Sequence, residues 1–538
     1  MSTTRTLRIP EPDGIFIGGG HNSLVAATYL ARAGLRVMVL EATDRLGGGM
    51  RTTEATLPLF KHNVHAHFVR WQPDNPVWQD LRIDRFGLEA LLPEVQDAIV
   101  FDGGRSVLMH YRDSARSLEA IARISSRDAE AFERLFDECG RLTRAIVGPL
   151  RFVPPLHPEE EDELLSKSPL GRRYQESAAR SSIELISEWF ESEPVRLLVG
   201  FNVAIRGFQP VMDIPGTGHA AIVSLPASSG AQLIRGGSGE VARALGAALF
   251  DAGGTAIAGA EVTSIVVRDG RARGVTLADG RSITARMFVA SSVPAPITML
   301  DLVGSEHLDA SLARDLKAYR WNDDYALFGF HMALRERPRF SLEDREPDLP
   351  FAHDIALGYE ELGDLMTEIE EVRQGSVGAF RVQTTIPTVH DPSQAPPGHH
   401  VAFGWKVVPP GLRDDGFLAE RLVAEYADFA PNLREDVLAT AGYAPADIDA
   451  ALGSMPNGDH LHGSFHPDNF GYHRPHASLS GFRTPVDRLY LCGSSQHPGG
   501  GFSGAPGYIA AGVIADDLEI DPWWPRTTAH DILHQLRP

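Results

Sequence analysis

Three adjacent apolar residues, Ile15, Phe16 and Ile17, run into Gly18-Gly19-Gly20, and the stretch from Leu24 to Ala33 is rich in alanine and leucine before Gly34 stops it. The pattern predicts a strand, a tight turn and a helix. Val37-Met38-Val39-Leu40 is a second unbroken apolar run, short enough for a buried strand, and it ends on Glu41. Residues 14 to 41 therefore have the order and the length, roughly 30 residues, of a βαβ unit. From 117 to 146, Leu118, Ile121, Ile124, Ala131, Phe132, Leu135 and Leu142 recur at helical spacing. The segment after it, with Pro154, Pro155, Pro158 and the acidic run Glu159 to Glu163, reads as an exposed linker. Between 255 and 290 short β-rich runs are separated by Asp269-Gly270 and Asp279-Gly280, which predicts a β-meander with tight turns. Residues 339 to 350 and Pro392 to Gly398 interrupt the pattern again, so 301 to 475 reads as a second, irregular α+β stretch. Leu489-Tyr490-Leu491-Cys492 then predicts a buried strand, followed by a glycine-rich loop from Gly499 to Gly507 and a helix from Tyr508 to Leu518. The end of the chain repeats the grammar of its beginning, so pieces of one nucleotide-binding domain are dispersed along it with other material between them.

Composition narrows the classes. At 538 residues, 43% apolar and 22% charged, the chain is a packed multi-domain protein. A net charge of −21 repels phosphate backbones and anionic headgroups, so nucleic acid is not an expected partner. Two cysteines, Cys139 and Cys492, make neither a disulfide framework nor a zinc ribbon, so no metal site is expected. The first residues lack an apolar leader core, and no uncharged run reaches the roughly 18 residues of a membrane span. The expected location is cytoplasmic, with peripheral membrane attachment through a folded patch left open.

The chemistry starts at Gly18-x-Gly20-x-x-Ser23. Glycine at 18 permits the turn, and glycine at 20 lets the backbone approach a pyrophosphate at the helix N-terminus; Ser23 replaces the usual third glycine with another small residue. Glu41 is placed to accept hydrogen bonds from a ribose, and it would repel the extra phosphate of NADP. Immediately after it, Arg45-Leu46-Gly47-Gly48-Gly49-Met50-Arg51-Thr52 combines exposed amides with guanidinium donors, which suits a second approach to a diphosphate or a flavin edge.

These two loops, together with Gly236-Gly237-Ser238-Gly239-Glu240, the segment from Gly253-Gly254 to Val262, and the stretch from Tyr490 to Gly504, resemble the phytoene desaturase-like flavoproteins. The nearest branch is that of the pyridine nucleotide-disulphide oxidoreductase domain proteins, relatives of carotenoid desaturases, carotenoid isomerases and retinol saturases. The resemblance implies FAD as cofactor. It places Gly18, Gly20, His21, Asn22, Glu41, Ala42, Arg45, Gly47, Gly48, Met50 and Arg51 at the cofactor, with Val262 against adenine and Gly493, Ser494, His497, Gly500, Gly501 and Phe502 beside the ribityl chain and ring. The helix starting near Gly507 or Tyr508 would point its positive end at the flavin.

His65 and His67 follow the diglycine loop, where relatives have an acidic or small residue near the flavin. In a strand both would face one side, where either can take a proton or can be a hydrogen-bonded interdomain histidine. His460 and His462, in a glycine- and proline-rich loop with His466, His473 and His476, are secondary candidates for a substrate entrance, preferred to a metal site. Trp321, Tyr325, Phe328, Phe330 and Trp405 read as generic core or as lining of an apolar pocket. With no Cys-x-x-Cys, disulfide reductase chemistry is excluded.

The expected architecture is α/β: a Rossmann-type FAD domain from 1–75, 225–300 and 476–538, and a mixed-sheet substrate domain with a helical cap from 76–224 and 301–475. The expected function is FAD-dependent dehydrogenation of an apolar or aromatic small molecule by hydride transfer to flavin N5, with oxygen or a quinone as acceptor. A flavin-dependent isomerase or saturase, and a prenyl-binding protein like the GDP-dissociation inhibitors, are the alternatives.

Overall fold

The computed structural model describes residues 11–67, 69, 75–414 and 416–536; the amino-terminal ten, read above for a leader, lie outside them. A five-stranded parallel sheet runs in the order Leu489–Leu491, Phe288–Ser291, Gly14–Ile17, Val37–Leu40, Thr255–Ile257. Its inner strands are buried throughout, because a parallel sheet must be covered on both faces. One face packs against the helices His21–Arg32, Gly239–Asp251 and Ala505–Asp517, the other against an antiparallel sheet of Val262–Arg268, Arg271–Leu277 and Ser282–Thr284. The region read as one meander is thus divided. Its first and last strands complete the parallel sheet, and only the middle three form hairpins.

The helices His21–Arg32 and Ala505–Asp517 approach so closely that a Cβ on Gly507 would lie 2.2 Å from the Asn22 carbonyl oxygen. Gly493 is equally confined, 2.1 Å from the Ser292 carbonyl. Gly507→Ala is expected to cost about 3 kcal/mol, the upper end for overpacking against backbone. Urea denaturation checks it, and a loss below about 0.5 kcal/mol would mean the helices part without strain.

A second sheet of seven strands has the order Val437–Tyr443, Ala326–Leu334, His400–Val408, Val382–Thr385, Ala352–Leu357, Val95–Phe101, Ser106–Tyr111. It is mixed: Ala352–Leu357 and Val95–Phe101 are parallel, the other neighbours antiparallel. One face carries Phe328, Phe330, Met332, Ile355 and Leu357 into an apolar core. Strand alternation and register put polar residues on the opposite face: His331 beside Phe403, Trp405 beside Gln383, and Asp354, Asp97 and His110 in line. Helices between Ser114 and Gly230 cover part of that face through Ile99, Leu108 and Ala356.

The linker expected around Pro158 is instead the helix Pro158–Ser166. Proline fits its first turn, Glu159, Glu160 and Glu161 favour the positive N-terminus, and Leu164 and Leu165 are buried. The acidic run signals a helix start rather than a solvated loop.

Candidate functional site

Three glycine-bearing loops meet at the upper edge of the parallel sheet. Gly18 has φ +87°, and the Gly47 N–H donates to the Gly19 carbonyl at 2.9 Å. The third loop is tied in by Asn22 Nδ2 donating to Ser494 Oγ (3.1 Å) and by a His21 Nε2 bond to the Gly501 carbonyl (3.1 Å). Phe502 packs beside the His21 ring.

Glu41 is buried at this junction. One carboxylate oxygen accepts the Gly19 N–H at 2.6 Å, and the other accepts the Thr43 N–H and hydroxyl, both at 2.8 Å. A carboxylate has about four lone-pair positions, so these three bonds leave acceptor capacity for a ribose hydroxyl. The Glu41 carbonyl takes the Ala260 N–H, which brings the start of the Val262 strand to the same edge. Ala42 and Arg45 are exposed, and Arg45 pairs with Asp44. Arg51 turns inward instead, donating to the Gly48 carbonyl and the Thr43 hydroxyl, while Met50 is in the apolar core.

The helix His21–Arg32 begins at Gly20 with no side-chain cap and no acidic residue in its first turn, and Ala505–Asp517 begins at Gly504, also without a side-chain cap. Nothing lies within 4 Å of a Cβ placed on Gly20 or Gly501, and the nearest atom to one on Gly48 is the Gly20 Cα at 3.4 Å. Uncapped helix starts beside open, side-chain-free space are suited to a diphosphate. Buried polar atoms without a protein partner also lie there: Asn22 Oδ1, and His462 Nδ1 on a ring within electrostatic reach of His21. The donor set, the free space and the acceptor capacity of Glu41 fit an FAD molecule.

His65 and His67 lie outside any strand and take different neighbours, which corrects the expectation that they face one side. His65 sits over Gly49, where a Cβ would lie 2.4 Å from the ring, and its electrostatic neighbours are Arg51, His460 and His462. Burial pushes His65 down to about 4, and His460 and His462 to about 3. The Tyr325 hydroxyl is 3.4 Å from His460 Nε2. The fold therefore gathers His65, His460, His462 and Tyr325 beside the glycine loops as an uncharged wall at neutral pH.

His67 belongs to the polar face of the seven-stranded sheet. The Trp405 indole donates to His67 Nδ1 at 3.2 Å, so in the neutral ring the proton is on Nε2, 3.3 Å from Asp354 Oδ1. Gln383 Nε2 donates to the same oxygen at 2.6 Å. Burial raises the Asp354 carboxyl, but His353 and His67 outweigh it and hold the group well below the usual carboxylate range. The ligand atoms of His67, His353 and Asp354 lie within 4.8 Å of one another, as in a metal centre. Trp405 engages the His67 lone pair that a cation would need, so the arrangement is a hydrogen-bonded clamp that fastens the segment after Asn63 to the seven-stranded sheet.

The aromatic set divides as the strand alternation requires: Phe328 and Phe330 are core, Trp405 is in the clamp, and Tyr325 is at the histidine wall. His497 turns away from the loops, bonding the Leu150 carbonyl at 3.0 Å. His466 lies near Asp468 and His476 near Asp315, away from His460 and His462. Sequence reasoning missed Asn63, whose Oδ1 accepts from the Thr52 hydroxyl, the Ser238 N–H and the Ser238 hydroxyl and so locks the Gly236–Gly239 turn onto the second loop. It also missed Asp354 and Arg474, which no periodicity or spacing marks.

The family model described as flavin containing amine oxidoreductase matches residues 24–317. The chain is 30% identical to a limonene dehydrogenase component of Castellaniella defragrans, over 96% of each chain. It is 29% identical to pyridine nucleotide-disulfide oxidoreductase domain-containing protein 2 of Rattus norvegicus, over 95% of this chain and 94% of that one. Among solved structures, putrescine oxidase bound to putrescine has the same fold, with a TM-score of 0.62 at 16% identity over 94% of this chain and 99% of that one.

Proposed function

Because the chain belongs to the flavin containing amine oxidoreductase family and is an FAD-dependent oxidoreductase, we propose that it dehydrogenates a neutral, apolar or aromatic small molecule by hydride transfer to flavin N5. The observation that carries this reading is the uncharged wall of His65, His460, His462 and Tyr325 beside the three glycine loops. A protonated amine would find no free carboxylate there among the described residues. Asp459, next to His460 in the chain, already accepts the N–H groups of Asn322, Leu461 and Gly463. The relative named for limonene, a hydrocarbon, is consistent with that chemistry.

In this reading 1–75, 225–300 and 476–538 hold the cofactor, and 76–224 with 301–475 form the substrate side. Gly18, Gly20 and the free amides opening the His21–Arg32 helix receive the diphosphate, Glu41 a ribose hydroxyl, and the Val262 backbone the adenine. FAD supplies the hydride acceptor when bound. His65 offers its lone pair to the departing proton, and His67, with both ring nitrogens engaged, holds Trp405 in place. Electrons then leave to oxygen or a quinone. Among the described residues no helix is long and apolar enough to cross a membrane.

The purified protein is expected to show flavin absorption that bleaches anaerobically with a terpene or carotenoid hydrocarbon and persists with putrescine. A protein that neither carries nor takes up FAD would sink the reading, and bleaching by amines alone would overturn the substrate class. His65→Phe is expected to retain FAD and lose about tenfold to a hundredfold in the rate of bleaching, the low end for a general base because its basicity is depressed.

A further inference from the structure

Arg474 is fully buried, and its charge has no carboxylate partner among the described residues. Its guanidinium is met entirely by carbonyl oxygens. Nη1 donates to Ser464 (3.0 Å), Gly463 (3.3 Å) and Asn469 (3.4 Å); Nη2 donates to Leu461 (2.7 Å), Ser494 (3.0 Å) and His462 (3.1 Å). The Phe465 ring covers the group at 5.1 Å, and Nε has no hydrogen-bond partner. Asp459 contributes only at a distance, since its oxygens accept the backbone N–H groups already described.

Carbonyl dipoles satisfy donors but carry no net charge, so the protein keeps a positive charge in its interior with no carboxylate in contact and Asp459 acting on it only at a distance, an arrangement that is costly when nothing else is gained. A pin of this kind could be made from a neutral amide and ordered backbone turns. The position of the charge is informative. Arg474 holds the carbonyl of Ser494, whose hydroxyl meets Asn22 at the opening of the first helix. A Cβ on Gly499 would lie 3.3 Å from its Nε, and His462 of the uncharged wall is joined to it through its carbonyl. The guanidinium is therefore fastened to the loop from Ser494 to Gly499, which leads into the Gly504 start, the positive end, of the Ala505–Asp517 helix.

We propose that Arg474 is a positioning residue that also acts electrostatically, in that its fork fastens the 461–469 loop to the closing loop around the flavin, and its charge, which no carboxylate touches, favours the negatively charged, reduced state of the bound cofactor. The inference rests on the reading that FAD occupies this site. It gives the buried charge a role that a purely structural pin does not need.

The test compares holoenzymes of wild type, Arg474→Gln and Arg474→Lys by FAD dissociation, two-electron midpoint potential against reference dyes, and affinity for sulfite, an anion that adds to electron-poor flavins. Arg474→Gln removes the charge and is expected to weaken sulfite binding about tenfold and to favour oxidised over reduced FAD about tenfold, a shift of about 30 mV for a two-electron couple. Arg474→Lys keeps a cation but has three donors for six acceptors, so it is expected to release FAD about tenfold more readily with a potential near that of wild type. An Arg474→Gln protein that melts lower yet keeps wild-type FAD affinity, potential and sulfite binding overturns the proposal. If that variant does not fold, Arg474→Lys decides alone: loosened FAD at an unchanged potential supports the proposal, and wild-type FAD affinity overturns it. A wild-type protein that takes up no FAD overturns the functional reading itself, and this inference with it.

Discussion

The flavin-free protein is expected to lose stability steeply as the pH falls below 6.5, with its melting temperature dropping continuously toward pH 4.5. Burial pushes His21, His62, His65, His219, His390 and His497 down to about 4, and His460 and His462 to about 3; His331 is held well below its ordinary value. In the unfolded chain these rings take up protons near pH 6.5. Between that value and their folded pKa values the unfolded state binds more protons, so their contribution is fully present above pH 6.5 and is lost on the way down. His62 and His331, both at 0% exposure, together cost roughly 3 kcal/mol per pH unit in this window, against a total stability of about 5–15 kcal/mol. The rings of His65, His460 and His462 contribute less, because they are only partly buried. Asp354 cannot account for this window, since its depressed carboxyl keeps its contribution until the pH falls below its ordinary value near 4. Thermal melts from pH 7.5 to 4.5 at constant ionic strength check the expectation. A melting temperature that stays flat between pH 7 and 5 would show that the buried histidines open to water.

Asp354→Ala is expected to be the most destabilising single substitution in the clamp, at about 3–5 kcal/mol, because it strands a buried network rather than removing one contact. The Gln383 amide and the His67 Nε2–H both point at the lost oxygen, and His353 Nδ1 lies 2.9 Å from the other. Asp354→Asn keeps the shape and one acceptor oxygen, so it is expected to cost less. Urea unfolding of Asp354→Ala, His67→Gln and the double variant measures the coupling, and a double variant whose loss equals the sum of the single losses would show that the two residues do not act together. A loss below about 1 kcal/mol in Asp354→Ala would remove the clamp from the account.

The opening βαβ unit was legible because its signals are local. An apolar run, a glycine turn and an alanine-rich helix each declare themselves within a few residues, and Glu41 has to stand where the second strand ends. The closing loop was legible for the same reason, although the need for glycine at 493 and 507 comes from carbonyl oxygens of Ser292 and Asn22, far away in the chain. The acidic run at Glu159 misled because charge at a helix start and charge on a solvated loop look alike until Leu164 and Leu165 find a core. His65 and His67 were recognised as a pair worth attention, but their alternation implied a strand that the fold does not form. One histidine joins His460 and His462, and the other joins Asp354, 287 residues away.

The amino-acid sequence by itself determined the nucleotide-binding frame, the glycine loops and the α/β class, since those depend on steric freedom and periodicity within short segments. Only the tertiary structure decided that His65 joins His460 and His462, that Trp405 engages the His67 lone pair, and that Arg474 is buried with no carboxylate in contact. Those properties arise from burial and from contacts between distant segments. A side chain's charge, tautomer and partners are set by the dielectric and the donors around it, and that environment exists only once segments distant in the chain have packed together.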